Sequence, residues 1–274
     1  GAESINDLTD AKTFGTSSIM LGDATTGTID AANYNTGVGV DVFEDLTSGD
    51  NNAAFGFFAL GNNTSGGNNT MVGAYAGALN IDDADNTAVG YAANYPDGGS
   101  NVTAVGSVAL NANTASDNTA VGKGALTATV GGANNTAVGS LAGVANTSGS
   151  ENSFLGYRAG MTTTTATTNT VIGSFSLDNG AANTGGANTV IGHGAARVIT
   201  SGTNNTTLGY DAGVAITTGT YNICIGGVGA GNTITTGSGN IAIGSSALTT
   251  LTASTYPNIA IGENALYSMA TGYQ

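Results

Sequence analysis

Charge is what this sequence has least of. Only 8% of its 274 residues are Asp, Glu, Lys or Arg, too few to clothe the outer faces of ordinary amphipathic helices. Its surface must be Asn, Thr, Ser and Gly. Just four residues are basic, Lys12, Lys123, Arg158 and Arg197, against a formal net charge of −14. That removes the cationic footprint on which a phosphate backbone is held and excludes nucleic acid as a partner. One cysteine, Cys224, excludes an internal disulfide framework and a cysteine-rich metal cluster. Two prolines beside 45 glycines, with 40% hydrophobic residues, fit neither collagen nor a disordered linker. No apolar run reaches the ~18 residues of a membrane span, so no membrane insertion is expected in this segment, and Gly1 to Asp10 lacks the features of a signal peptide.

What the chain has in abundance is repetition. A unit close to Asn-Thr-Ala-Val-Gly recurs with glycines at 22, 39, 56, 73, 90, 106, 122, 139, 156, 173, 192, 209, 226, 244 and 262, at spacings of 16 to 19 residues and mostly 17. The residue before each glycine is apolar in all fifteen units, among them Val89, Val105, Val121, Val138, Leu155, Ile172 and Ile191. Two residues earlier stands Thr or Ile in most units. β-branched residues at period two predict a strand, and fifteen apolar residues of fifteen predict a buried ladder, with the intervening small residue (Ala88, Ala120, Ala137) on the opposite face. Asn opens thirteen of the fifteen units, Asn86, Asn118 and Asn135 among them. Stacked amides that hydrogen-bond from coil to coil explain this better than fifteen copies of a catalytic group.

Seventeen residues accommodate two short strands and two turns but not a strand, a helix and both connections. The fold class expected is therefore all-β, a parallel β-solenoid or β-roll of about fifteen coils of ~17 residues, some 70 Å long at ~4.8 Å per layer. Residues 1–16 read as an N-terminal lead-in or cap, 17–266 as the solenoid domain and 267–274 as the start of a further, truncated repeat. So thin a core is marginal alone, and burial of a small-residue face between subunits predicts a homotrimer.

Asn-Thr-Ala-Val-Gly followed by Ala-Gly or Ala-Leu and Thr-Thr-Gly resembles the head repeats of trimeric autotransporter adhesins and, more closely, the Asn/Thr-rich repeats of bacteriophage tail fibres. The resemblance runs from Ser17 to Leu266, and Ile5-Asn6-Asp7-Leu8-Thr9-Asp10-Ala11 is similar to segments that precede such fibre repeats. It implies a parallel trimer on a virion surface or otherwise outside the cell. There it would partner other virion or fibre proteins and a host glycan or protein receptor, with no enzymatic activity. A bacterial surface adhesin is the alternative.

Few residues suggest a site. Asp82, Asp83 and Asp85 form an acidic turn that reads either as a solvated turn or as a weak Ca²⁺ site, and no other cofactor is expected. Tyr91, Tyr157 and Tyr210 recur just after the motif glycine and read either as packing between coils or as a stacking track for a receptor or glycan. His193 has no triad partner at a matching repeat position, and Cys224 fills a slot held elsewhere by Ala or Val.

Overall fold

The computed structural model describes residues 11–22, 31–96, 98–178, 181–249 and 257–267. The lead-in through Asp10 and the truncated repeat beyond Tyr267 lie outside them. All described regular structure is β. The chain divides into two compact units, Gly1–Ala133 and Asn134–Gln274.

In the first unit Ala11–Phe14 pairs antiparallel with Ser18–Leu21. Parallel three-residue strands follow at Thr36–Val38, Ala53–Phe55, Thr70–Val72, Thr87–Val89, Thr103–Val105 and Thr119–Val121. The second unit stacks Thr136–Val138, Ser153–Leu155, Thr170–Ile172, Thr189–Ile191, Thr206–Leu208, Ile223–Ile225, Ile241–Ile243 and Ile259–Ile261. Thirteen parallel pairings join consecutive strands, six in the first unit and seven in the second, which makes a parallel β-solenoid of about thirteen turns at ~17-residue spacing. The sequence suggests about fifteen. Every pairing is in register with the repeat: Val89 opposes Val105 and Val105 opposes Val121.

The faces are the reverse of those expected. The middle residue of each strand points inward, so that Ala54, Ala88, Ala104, Ala120 and Ala137 are fully buried. Val89 (37%), Val121 (36%), Val138 and Leu155 (48%) are exposed, and Val105, Ile172 and Ile191 are half-buried. The ladder of apolar residues exists, but on the outside of the coil. The reason is parity. Asn, the third residue before Val, is buried in every coil that has it, and in an extended segment positions three apart face opposite ways. With the amide inside, Thr and Val must be outside.

Asn is inside because its amide completes the backbone hydrogen bonding where one coil turns into the next. The Asn152 N–H donates to Asn135 Oδ1 (3.0 Å), and Asn152 Nδ2 donates to Asn135 Oδ1 (3.1 Å) and to the Ala166 carbonyl (2.8 Å). Asn152 Oδ1 in turn accepts from the N–H and Nδ2 of Asn169. The same pattern recurs through Asn188, Asn205, Asn222 and Asn240. In the first unit it runs from Ser18, whose hydroxyl stands in for the amide, to Asn86. Val102 interrupts the series: its N–H donates to Asn86 Oδ1, but it has no amide of its own to offer.

After the strand the chain bends on the motif glycine and then alternates hands. At Gly139 φ is +138° and a Cβ would sit 2.3 Å from the Gly156 carbonyl oxygen of the adjacent coil, so only glycine fits. Two and four residues further on, non-glycine residues adopt left-handed φ, as at Val108 (54°) and Leu110 (50°). Each such residue costs about 1 kcal/mol or more of backbone strain. The alternation sends successive N–H groups in opposite directions: Val108 donates back to the Tyr91 carbonyl and Leu110 forward to that of Ala125. Hydrogen bonds between layers thus continue around the turn, where a uniform handedness would leave half of them unmade.

In many coils the interior is filled by a trade between two positions six residues apart. Where the inward strand residue is small, the residue four after the motif glycine is large: Gly37 with Phe43, Ala54 with Leu60, Ala104 with Leu110, Ala120 with Leu126. Where it is large, glycine answers: Met71 with Gly77, Phe154 with Gly160, Thr207 with Gly213. The trade is common but not obligatory: Val171 and Leu177 are both large and buried, and Ala137 and Gly143 are both small.

Thr207 is the weak member of this set. Its hydroxyl is buried with no hydrogen-bond partner, and Val171 and Val190 hold the same place in the two preceding coils. Thr207→Val removes an orphaned polar group without changing shape and is expected to stabilise the second unit by about 1 kcal/mol, measured by denaturant unfolding.

Candidate functional site

Three surface features stand out. The first is the outward strand face. Its two positions per coil are most often Thr followed by Val, Leu or Ile, but become Ile223 with Ile225, Ile241 with Ile243 and Ile259 with Ile261 in the last three described coils. Six isoleucines in register make an apolar face without a charge on it, and Ile259 and Ile261 are about two-thirds exposed (60% and 67%).

Aromatic rings form the second feature. In the first unit Tyr91 lies edge-on to Tyr75 (centroids 6.1 Å apart), and Tyr75 to Phe57 (5.2 Å). Tyr95 adds a fourth ring beside Tyr75, and Tyr75, Tyr91 and Tyr95 line a shallow cleft with Val108 and Asn111. In the second unit Tyr157 and Tyr210, fifty-three positions apart, are joined into one track. Phe175 meets Tyr157 edge-on at 5.3 Å and His193 at 5.6 Å, and His193 stacks on Tyr210 at 5.3 Å with only 6° between planes. Period alone points to Tyr157 and Tyr210. Phe175 is displaced by one position from the tyrosine slot, and His193 fills that slot with a different residue type, so the bridging rings escape a search for one residue type at one position.

The third feature has no sequence signature. Asp178, almost fully buried, accepts a hydrogen bond from Arg158 Nε at 3.1 Å across twenty residues. Burial pushes its carboxyl above the ordinary carboxylate value, opposed by Arg158 and Arg197. The Arg158 guanidinium lies 5.4 Å from the centre of the Phe175 ring, which ties this cluster to the aromatic track.

The acidic turn does not assemble as a metal site. Asp83 accepts from the Gly99 N–H and the Ser100 hydroxyl of the following coil, whereas Asp85 accepts from Asn68 Nδ2 of the preceding one. The carboxylates of Asp83 and Asp85 thus serve opposite sides of their layer. Among the described residues no three His, Cys, Asp or Glu side chains, Asp82, Asp83 and Asp85 included, come together as a cation would require. Cys224 is buried in the inward strand slot, where desolvation pushes its thiol up to about 12, so it is neither a nucleophile nor a ligand at neutral pH. No helix among the described residues is long and apolar enough to cross a membrane.

Comparison with protein-family models, with curated proteins and with solved structures returned no match, so any functional reading rests on the chemistry of these faces.

Proposed function

We propose that this chain is the coiled part of a homotrimeric extracellular fibre, a bacteriophage tail-fibre shaft that takes part in host attachment, and that it is structural and not catalytic. One observation carries the reading: in each unit an outward row of Val, Leu and Ile, with Phe55 among them in the first, in register from coil to coil within the unit and free of charge. The side chains of that row, from about a third to two-thirds exposed where they face solvent most, each gain roughly 0.5 to 2 kcal/mol when fully covered. A second copy of the chain offers the matching row at the same spacing, and such a self-complementary, extended surface suits a parallel assembly about a symmetry axis. Net charge of −14 on each chain keeps the assembled particle soluble. The resemblance of the Asn-Thr-Ala-Val-Gly units to fibre repeats supplies the biological setting.

Multi-angle light scattering tests the assembly. The expected mass is three times the 26.5 kDa of the chain, falling to that of one chain in an Ile225→Asp/Ile243→Asp variant that keeps its β circular dichroism. A wild-type chain that stays monomeric at micromolar concentration overturns the proposal. Electron microscopy of the source particle, with labelled antibody against the chain, tests its place: labelling away from any fibre removes the virion reading.

A further inference from the structure

The geometry points to a binding site for an acidic saccharide, a sugar ring bearing a carboxylate, at the cleft where Arg158 and Arg197 meet in the second unit. The chain holds only four basic residues, and two of them line this one open cleft of about 660 Å³ together with Asp178, Met161, Thr162 and Thr164. In a molecule of net charge −14 the cleft carries two cations against one carboxylate. Its local sign is inverted.

The two arginines are held differently. Arg158 spends its Nε on Asp178 Oδ1 (3.1 Å) and on Met161 Sδ (3.0 Å), which fixes the plane of the guanidinium and leaves its terminal nitrogens without a partner among the described residues. Arg197 makes no hydrogen bond or ion pair with any described residue, although it stands close enough to Asp178 to lower its pKa. The Arg197 guanidinium is thus half-buried beside the Arg158–Asp178 pair, with the Asp211 carboxylate on the Gly194 side of it, and no hydrogen bond occupies its fork. A planar, bidentate monoanion is the ligand that matches it in charge and shape.

The rings specify what the anion is attached to. Arg158 lies over Phe175, and from Phe175 the track continues through His193 to Tyr210 on one side and to Tyr157 on the other. Tyr157 and Tyr210 are about half exposed (45% and 52%). Exposed aromatic faces pack against the C–H face of a pyranose. The hydroxyls of Thr162 and Thr164 already donate to the Leu177 and Asn183 carbonyls, so their oxygens are oriented to accept from sugar hydroxyls. The rings do not line the cleft itself; Arg158, which lines it and lies over Phe175, joins the two, so that a carboxylate on the guanidinium and a sugar ring on the adjoining aromatic track form one continuous site. The site lies within one unit of one chain and stands whether or not chains associate.

Isothermal titration of the full chain with an oligogalacturonate, a neutral galactose oligomer of equal length and inorganic phosphate is the test, with oligomeric mass measured on the same samples. The acidic oligomer is expected to bind at least tenfold more tightly than either of the others and to weaken as salt rises. Arg197→Gln is expected to lower its affinity tenfold or more with an unchanged thermal transition. Arg197→Lys, which keeps the charge but loses the fork, should fall between, and Tyr210→Ala should lose several-fold. Equal binding of acidic and neutral oligomers, binding of phosphate alone, no binding at all, or wild-type affinity in Arg197→Gln each overturns the inference, whatever mass the protein shows.

Discussion

Ala120→Asp is expected to destroy the coils around it at every protein concentration, whereas its neighbour Val121→Asp is expected to damage them only on dilution. Ala120 is fully buried between Ala104 and the inside of its own coil, and a carboxylate placed there has no partner. Burying it costs several kcal/mol whether it stays charged or takes up a proton. A loss of about 3 kcal/mol lowers the melting temperature of a unit this size by ten degrees or more. Val121 projects from the outer face, where a single chain hydrates the new carboxylate at a cost of about 0.5 kcal/mol or less. Its harm arises where outer rows meet, and appears as a lower mass and a concentration-dependent transition. Hydrogen exchange resolved along the chain separates the two: Ala120→Asp should lose protection first around Gly106 and Gly122, because solenoid stability is a sum over neighbouring layers. Equal, concentration-independent loss in both variants would show that the strand faces are assigned the wrong way round.

The second large effect is a rescue. Gly160→Leu drives a side chain into the Phe154 ring, since even a Cβ at residue 160 would lie 2.2 Å from two ring carbons. Phe154→Ala leaves a cavity instead, worth about 3 to 5 kcal/mol. Each single variant is expected to destabilise the second unit severely. The double variant recreates the Ala and Leu found together at Ala104 with Leu110 and at Ala120 with Leu126, and Leu126 already adopts the left-handed φ (49°) that residue 160 requires. Most of the stability should return, with a coupling energy of about 3 kcal/mol or more in a double-mutant cycle of denaturant midpoints. The preceding coil has Ala137 and Gly143, small at both places, so some deficit should remain. Simple additivity of the two single losses would refute the volume trade.

Period, strand content and register were legible because each repeats many times and each follows from local chemistry: β-branched residues at period two, turn residues between, one length per coil. The amide ladder was legible for the same reason. The direction of the strand was not, because hydrophobicity was allowed to decide it. Val beats Ala on any burial scale, yet Asn86 and Val89 are three apart and cannot both face inward; the buried polar group, with several hydrogen bonds to complete, wins over the apolar one with a neighbouring surface to meet. The trade between Phe154 and Gly160, or Gly37 and Phe43, would have fixed the inward position, since residues that compensate in volume must share a space. Of the aromatic track the sequence offered Tyr157 and Tyr210 without the rings between them. The pairing of Arg158 with Asp178 was out of reach, because it joins different repeat positions of successive coils, the second residue after Gly156 and the fifth after Gly173.

Because the filling of the interior is balanced inside many of the coils, such a coil is close to an exchangeable cassette. Duplicating or deleting the stretch from one opening Asn to the next carries both partners of the trade along together, as Phe154 and Gly160 both lie between Asn152 and Asn169, and presents the adjoining layers with the same amide to bond. Repeat number can therefore drift by unequal recombination without a matching change elsewhere in the chain. Two coils of the second unit depart from the balance: Ala137 meets Gly143, small at both places, and Val171 meets Leu177, large at both. The boundary of any natural gain or loss of coils is expected to fall outside the stretch from Asn135 to Asn188 that holds them.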